Sequence, residues 1–315
     1  MARASEPMKA KLGAAAFSDP QWVFERKLDG IRAIVDRDGD RVTLTSRTGN
    51  DLSRSYPELV AALAAEDADD FVADGEIVAF DGNRTSFAQL QGRIHVQGPR
   101  PELIARVPVF LYLFDLLRFD GHDLTGLPLR ARKGALRRAF SFHGPVRYTP
   151  HRNEHGEKFF REACAKGWEG LIAKRAESVY THRRSGDWVK LKCTREQELV
   201  VGGFTPPGGS RQHFGALLIG YYEDGELRFA GKAGTGFDQR TLAELGARLE
   251  ALEIPESPFT RGSGLPRDAR WVKPELVGQF AFSEWTRDGK LRHPSYVGPR
   301  EDKRAREVVR EVPEG

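Results

Sequence analysis

Apolar and polar positions fall into two textures along this chain. Over residues 21–46, two β-rich runs, IRAIVD and RVTLTS, flank an Asp38-Gly39 turn, the pattern of a hairpin. Residues 55–65 (SYPELVAALAA) place apolar side chains at helical spacing behind a serine and a proline. FVADGEIVAF, closed by Asp81-Gly82, reads as a strand, and PVFLYLFDLL is apolar enough for a buried one. A basic helix (PLRARKGALRRAF), a helix over residues 154–165 that stops at Gly167, and the strands GLIAKR and DWVKLK complete a sheet-based α+β region.

Beyond Lys192 the runs ELVVGGF, FGALLIGYYE, ELRFAGKAG and QFAFSEWT are short strands separated by Gly, Pro and Asp-Gly turns. One helix over residues 238–253 interrupts them, with Leu242, Leu245, Leu249 and Leu252 as its apolar stripe. About five strands and one helix fit an OB-fold. The expected domains are therefore 1–193 and 194–315.

The 315 residues suffice for two ordinary domains, and 39% apolar with 30% charged residues is a globular balance that excludes disordered and membrane classes. A net charge of +4 permits a phosphate-bearing ligand without demonstrating one. Nothing approaches 18 consecutive apolar residues, and MARASEPMKAKLGAAAF lacks the apolar stretch of a secretory signal, so a cytoplasmic protein with no membrane partner is expected. The two cysteines, Cys164 and Cys193, cannot build a four-thiolate zinc site and are read as free thiols of a reducing compartment.

Candidate chemistry concentrates in Glu25-Arg26-Lys27-Leu28-Asp29-Gly30-Ile31-Arg32, between two strand signals. A lysine nucleophile must shed its proton, which from a reference pKa of about 10.4 requires nearby positive charge or a metal. Alone, KLDG is equally well an exposed turn with solvated charges. It is followed in order by Ser46-Arg47, Asp74-Gly75-Glu76, Phe114-Asp115, Glu169-Gly-Leu-Ile-Ala-Lys174, Lys190-Leu-Lys192 and, near the C-terminus, HPSYVGPREDK ending at Lys303.

This ordered series resembles the motifs of the covalent nucleotidyltransferase superfamily, the ATP-dependent DNA ligases and mRNA capping enzymes. EGLIAKR, DWVKLK, VVGGFTPPGGSR and REDK resemble most closely the ligase module of bacterial end-joining ligase D. The resemblance implies an α+β nucleotidyltransferase domain, an ATP-grasp-like adenylation fold with mixed and antiparallel sheets, followed by an all-β OB-fold domain. It implies that Lys27 becomes adenylated by ATP, with Lys190 and Lys192 holding the α-phosphate and lowering the lysine's pKa. Glu169, with Glu76 and Asp29, would hold Mg²⁺ or Mn²⁺; Asp29 would also assist nick chemistry. Glu76 would contact the ribose, Arg32 the ribose or a DNA phosphate, and Phe114 would stack on adenine, with Tyr112 as the alternative and core packing as the rival role. Glu25 would read the adenine amine, and Lys174 belongs to the same nucleotide pocket. Arg47 would contact ribose and later the nick 5′-phosphate, while Arg300 and Lys303 would orient the β- and γ-phosphates on domain closure.

Arg183, Arg184, Lys133, Arg137 and Arg138 are candidate DNA-backbone contacts, with solvated surface as the alternative. Implied partners are nicked or broken double-stranded DNA, Ku and a separate end-joining polymerase, around a monomeric, nucleoid-associated bacterial enzyme. The 26 residues before Lys27 leave no room within this chain for the extra N-terminal domains of NAD⁺-dependent or replicative ligases, so a stand-alone ligase or an isolated module is expected. RNA ligase, mRNA guanylyltransferase and a non-catalytic DNA-end-binding module share the core and remain alternatives.

Overall fold

The structure, a computed structural model, describes residues 6–94, 96–193, 195–209 and 212–311. The chain divides into two compact units after Cys193. In the first, β1 (Lys9–Leu12), β2 (Asp19–Arg26), β3 (Ile31–Asp38) and β4 (Arg41–Ser46) precede α1 (Pro57–Ala64). Next come β5 (Asp70–Asp81), β6 (Arg84–Thr85), α2 (Phe87–Ile94), α3 (Pro101–Arg106), β7 (Val109–Phe119) and β8 (His122–Asp123). Then α4 (Leu129–Ala139), β9 (Val146–Tyr148), β10 (His151–Glu154), α5 (Gly156–Ala165), β11 (Gly170–Arg175) and β12 (Arg184–Lys192) complete it.

Among the described residues these strands form two sheets, ordered β1-β12-β11-β2-β10 and β4-β3-β5-β7-β8. Leu59 and Leu63 of α1, Leu90 of α2 and Leu136 of α4 are buried against Phe71, Leu111 and Leu113 of the second sheet. On the first sheet, Phe159 and Ala163 of α5 meet Phe24 and Leu171. Each such large apolar side chain stabilises the fold by about 1.5–3 kcal/mol. A smaller cluster, Met8, Phe114, Leu117, Tyr180 and Trp188, joins β7 of one sheet to β12 of the other. That explains why PVFLYLFDLL is apolar on both faces: each face of β7 is buried against a different cluster.

Three features depart from expectation. The N-terminal β1, which carries no strong strand signal, pairs parallel with β12. Helix α4 turns two of its basic residues inward: Arg132 forks onto Asp115 at 2.7 and 2.9 Å, and Lys133 reaches Glu25 at 2.5 Å. Lys133 is thus not a DNA-backbone contact, whereas Arg137 and Arg138 are exposed. Cys164 and Cys193, expected as free thiols, form a disulfide with Cα atoms 5.3 Å apart. Antiparallel pairing of β11 with β12 sets Gly170 opposite Lys192. The end of α5 and the residue after β12 therefore meet where the paired strands end, which a separation of 29 residues conceals in the sequence.

The second unit holds β13 (Glu196–Phe204), β14 (Leu217–Glu223), β15 (Glu226–Ala233), α6 (Gln239–Ala251), β16 (Glu253–Ile254), β17 (Arg270–Val272) and β18 (Val277–Ala281), followed by β19 (Glu284–Trp285), β20 (Leu291–Arg292) and β21 (Ser295–Pro299). Its main sheet is antiparallel, and β13 changes partner along its length, from β18 at residues 196–200 to β17 at residues 203–204. That exchange curls the sheet into a half-barrel of OB type. Asp238 caps α6 by accepting from the Thr241 N–H at 2.7 Å, and Leu242, Leu245 and Leu249 face the barrel core. No helix among the described residues is long and apolar enough to cross a membrane.

Candidate active site

Directly opposed residues on neighbouring strands present side chains to the same face. Lys190 on β12 opposes Ile172 on β11, which opposes Glu25 on β2; Trp188, Lys174 and Val23 form the next row. Lys192 opposes Gly170, whose carbonyl accepts the Lys27 N–H at 2.9 Å. A Cβ on Gly170, at φ +147°, would lie 1.9 Å from the Leu191 carbonyl oxygen. Only glycine lets β11 start so close to β12, which places Glu169 beside the lysine.

Lys27 Nζ lies 2.5 Å from Glu169 Oε1. Burial works against its charge, but Glu169, then Asp29 and Glu76, outweigh burial and hold the amine's pKa above its ordinary value. This corrects the expectation that Lys190 and Lys192 depress it: in this state the nearby carboxylates dominate.

Behind the lysine, the buried carboxylate of Glu25 is held between two ammonium groups, Lys133 at 2.5 Å and Lys174 at 2.6 Å. Burial would raise the Glu25 pKa, yet the two lysines lower it overall. Lys174 is pulled down to about 8, by burial first and by the like charge of Lys133, against the opposing pull of Glu25. As the structure stands, Glu25 already spends both oxygens on these lysines.

Arg32 opposes Glu76 across β3 and β5, and Glu76 opposes Tyr112 on β7. The Arg32 guanidinium forks onto Asp74, donates to the Met8 carbonyl at 3.1 Å and lies 4.7 Å from the Phe114 ring centre. Tyr180 donates its hydroxyl to Asp74 at 2.6 Å. Phe114 is buried, with Lys174 Nζ at 4.2 Å and Trp188 edge-on at 6.0 Å, which matches the core-packing alternative for this ring. Tyr112 neighbours Phe80 at 6.3 Å. Sequence reasoning missed Asp74, Tyr180 and Trp188 as partners. For Asp74 a signal existed, since alternation puts it on the face of Glu76, diagonal to Arg32.

Glu169, Glu76 and Asp29 do not form a three-carboxylate metal cage, because no such group exists among the described residues. One Asp29 oxygen accepts the Phe87 N–H at 3.2 Å at the start of α2, and its own N–H donates to Thr85 at 3.1 Å. Glu169 Oε2, buried without a hydrogen-bond partner, is the atom that fits a hard cation. A single carboxylate suits Mg²⁺, which commonly takes one or two protein oxygens plus phosphate and water.

Arg47 is half-buried just after β4. Arg183 and Arg184 are exposed, with Arg184 donating to the Ala10 carbonyl at 2.9 Å. In the second unit Arg300 forks onto Asp302 at 2.9 Å, and Lys303 lies 3.2 Å from Glu198. Asp302 and Glu198 had not been anticipated.

A lysine ringed by carboxylates between two sheets, backed by a strand carrying two further lysines and followed by an OB-type barrel, is the architecture of a covalent nucleotidyltransferase. Residues 5–192 match the ATP dependent DNA ligase domain and residues 210–303 the ATP dependent DNA ligase C terminal region. The chain belongs to the ATP-dependent DNA ligase family. It is similar to the multifunctional non-homologous end joining protein LigD of Pseudomonas aeruginosa, 38% identical over 306 residues covering 94% of this chain and 35% of that protein. The LigD of Mycobacterium tuberculosis is 41% identical over 316 residues, 97% of this chain and 40% of that one. The structure of mycobacterial DNA ligase D complexed with ATP and MES superposes with a TM-score of 0.68 at 37% identity, covering 99% of this chain and 100% of that one. This chain thus spans 35% to 40% of the length of these curated relatives.

Proposed function

We propose that this chain seals DNA strands with ATP through a lysyl-AMP on Lys27, and the observation that carries this is the Lys27–Glu169 pair at 2.5 Å within the Asp29 and Glu76 carboxylates. Lys27 Nζ gives up a proton and attacks the α-phosphorus, and the bond to the pyrophosphate oxygen breaks. A 5′-phosphate oxygen of DNA then displaces Lys27 from the AMP phosphorus. Finally a 3′-hydroxyl attacks the activated 5′-phosphorus, losing its proton as AMP leaves. Lys190 and Lys192 bind phosphate oxygens on the face they share with Glu25. Glu76 and Arg47 orient the ribose, Tyr112 flanks the adenine, and residues 1–193 form the nucleotide-transfer domain. Residues 194–315 form the OB domain and supply Arg300 and Lys303 for the pyrophosphate during adenylation. Mg²⁺ or Mn²⁺ at Glu169 would neutralise charge on the phosphate oxygens.

Incubation with α-labelled ATP and Mg²⁺ is expected to label the wild type and not Lys27→Ala. An unlabelled wild type, or a labelled variant, overturns the reading. The role in double-strand break repair with Ku and a separate polymerase rests on the end-joining relatives. Its test is stimulation of end joining by Ku; no stimulation overturns that part alone.

A further inference from the structure

Most basic side chains around Lys27 are already neutralised: Lys27 by Glu169, Arg32 by Asp74, Arg132 by Asp115, and Lys133 with Lys174 by Glu25. Arg26, the residue before the nucleophile, is different. Its guanidinium carbon sits 4.3 Å from the centre of Trp168, the residue before Glu169, and 5.8 Å from Phe80. One Nη donates to the Asn83 carbonyl at 3.2 Å, while Nε, buried, has no hydrogen-bond partner. Lys166 stands 5.1 Å from the same Trp168 ring and is exposed.

These residues line an open pocket of about 570 Å³, together with Gly82, and no acidic side chain lines it. The pocket lies wholly within the first unit, where the β5–β6 turn approaches the α5–β11 loop. Stacking on an indole fixes the plane of a guanidinium; with Nε buried and one Nη donating to Asn83, the Nη end is the part set to meet a phosphate. Asp and Glu are absent from the lining, so a bound anion meets no like charge.

We propose that the Arg26–Trp168–Lys166 pocket binds a backbone phosphodiester of the DNA strand beside the join. The proposal rests on the ligase reading above. Arg26 opposes Leu171 and so leaves β2 on the α5 side, the face opposite to Glu25 and Lys190; the contact therefore lies round the end of β2 from the reacting phosphate, on DNA flanking the join. The same phosphate chemistry could come from the tail of ATP, and the experiment separates the two sources.

Arg26→Ala, Trp168→Ala and the exposed Lys166→Ala would be compared with wild type in two assays. One is lysyl-AMP formation from labelled ATP. The other is binding of a nicked duplex, and sealing of a pre-adenylated nick, across a salt series. The expected result is adenylation within about twofold of wild type, nick affinity weakened about tenfold, and a salt slope shallower by about one for the charge-removing variants. Arg26→Lys, which keeps charge and loses the fork, is expected between the two. Unchanged DNA affinity in folded Arg26→Lys together with unchanged affinity and slope in folded Lys166→Ala overturns the proposal, as does a loss confined to adenylation, which would assign the pocket to ATP. A wild type that never takes label fails the ligase reading instead, so the two failures are distinguishable.

Discussion

The Nζ of Lys27 and the Oε1 of Glu169 are 2.5 Å apart, so the candidate nucleophile is stored as an ion pair with the carboxylate that also offers the best cation-binding oxygen. A charged amine has no lone pair for attack, so on the proposed reading Lys27 must first lose its proton. On the proposed reading, the carboxylate that now pairs with the lysine would hold a cation on the phosphates once ATP binds.

Glu169→Gln keeps the shape and removes the charge. Lysyl-AMP formation is expected to fall by about two to three orders of magnitude, the scale of a lost electrostatic contact in an active site, with the fold intact. The rate of label incorporation and a thermal melt check both halves; adenylation at the wild-type rate would contradict the assignment.

The Glu25 triad predicts an asymmetry in stability. Removing Glu25 leaves Lys133 and Lys174 buried as like charges, at a cost of about 3–5 kcal/mol. Lys133→Met leaves a paired Glu25 and Lys174 and is expected to cost less. Urea unfolding of the two variants gives the order directly, and the reverse order would refute the arrangement.

Lys174 sets a pH dependence. Its folded pKa, near 8, lies below the unfolded value of about 10.4, so between those limits the unfolded chain binds more protons. Below about 8 both states are protonated and the full penalty of burying the charge is present. As pH rises from about 8 to 10, that penalty is relieved, and wild type should gain stability relative to Lys174→Met, by at most about 3 kcal/mol. Parallel unfolding curves of the two proteins over that range would rule this out.

The Cys164–Cys193 bridge closes a loop of 29 residues, for which chain entropy gives about 3–4 kcal/mol. Cys164→Ser, or treatment with a reductant, is expected to lower the unfolding free energy by about 2–4 kcal/mol. Thiol titration of the native, unreduced protein should find no reactive cysteine, and two free thiols would disprove the bridge.

What the sequence determined by itself was whatever depends on local period and turn chemistry. The Asp38-Gly39 hairpin became β3 and β4, the Leu stripe of α6 faces the barrel, and the alternation of Lys190 and Lys192 puts both on one face. Order along the chain also carried the family, because its motifs are short and sit at strand ends.

Tertiary structure alone decided which charges meet. In α4, basic residues occupy nearly every face, so helical spacing could not tell the inward Arg132 and Lys133 from the outward Arg137 and Arg138; Asp115 and Glu25, on strands, made the choice. The disulfide needed the β11–β12 pairing to bring two distant cysteines together at the strands' end. The elevated pKa of Lys27 follows from the carboxylate that Gly170 lets approach. Coulomb energy depends on separation in space, and separation along the chain does not report it.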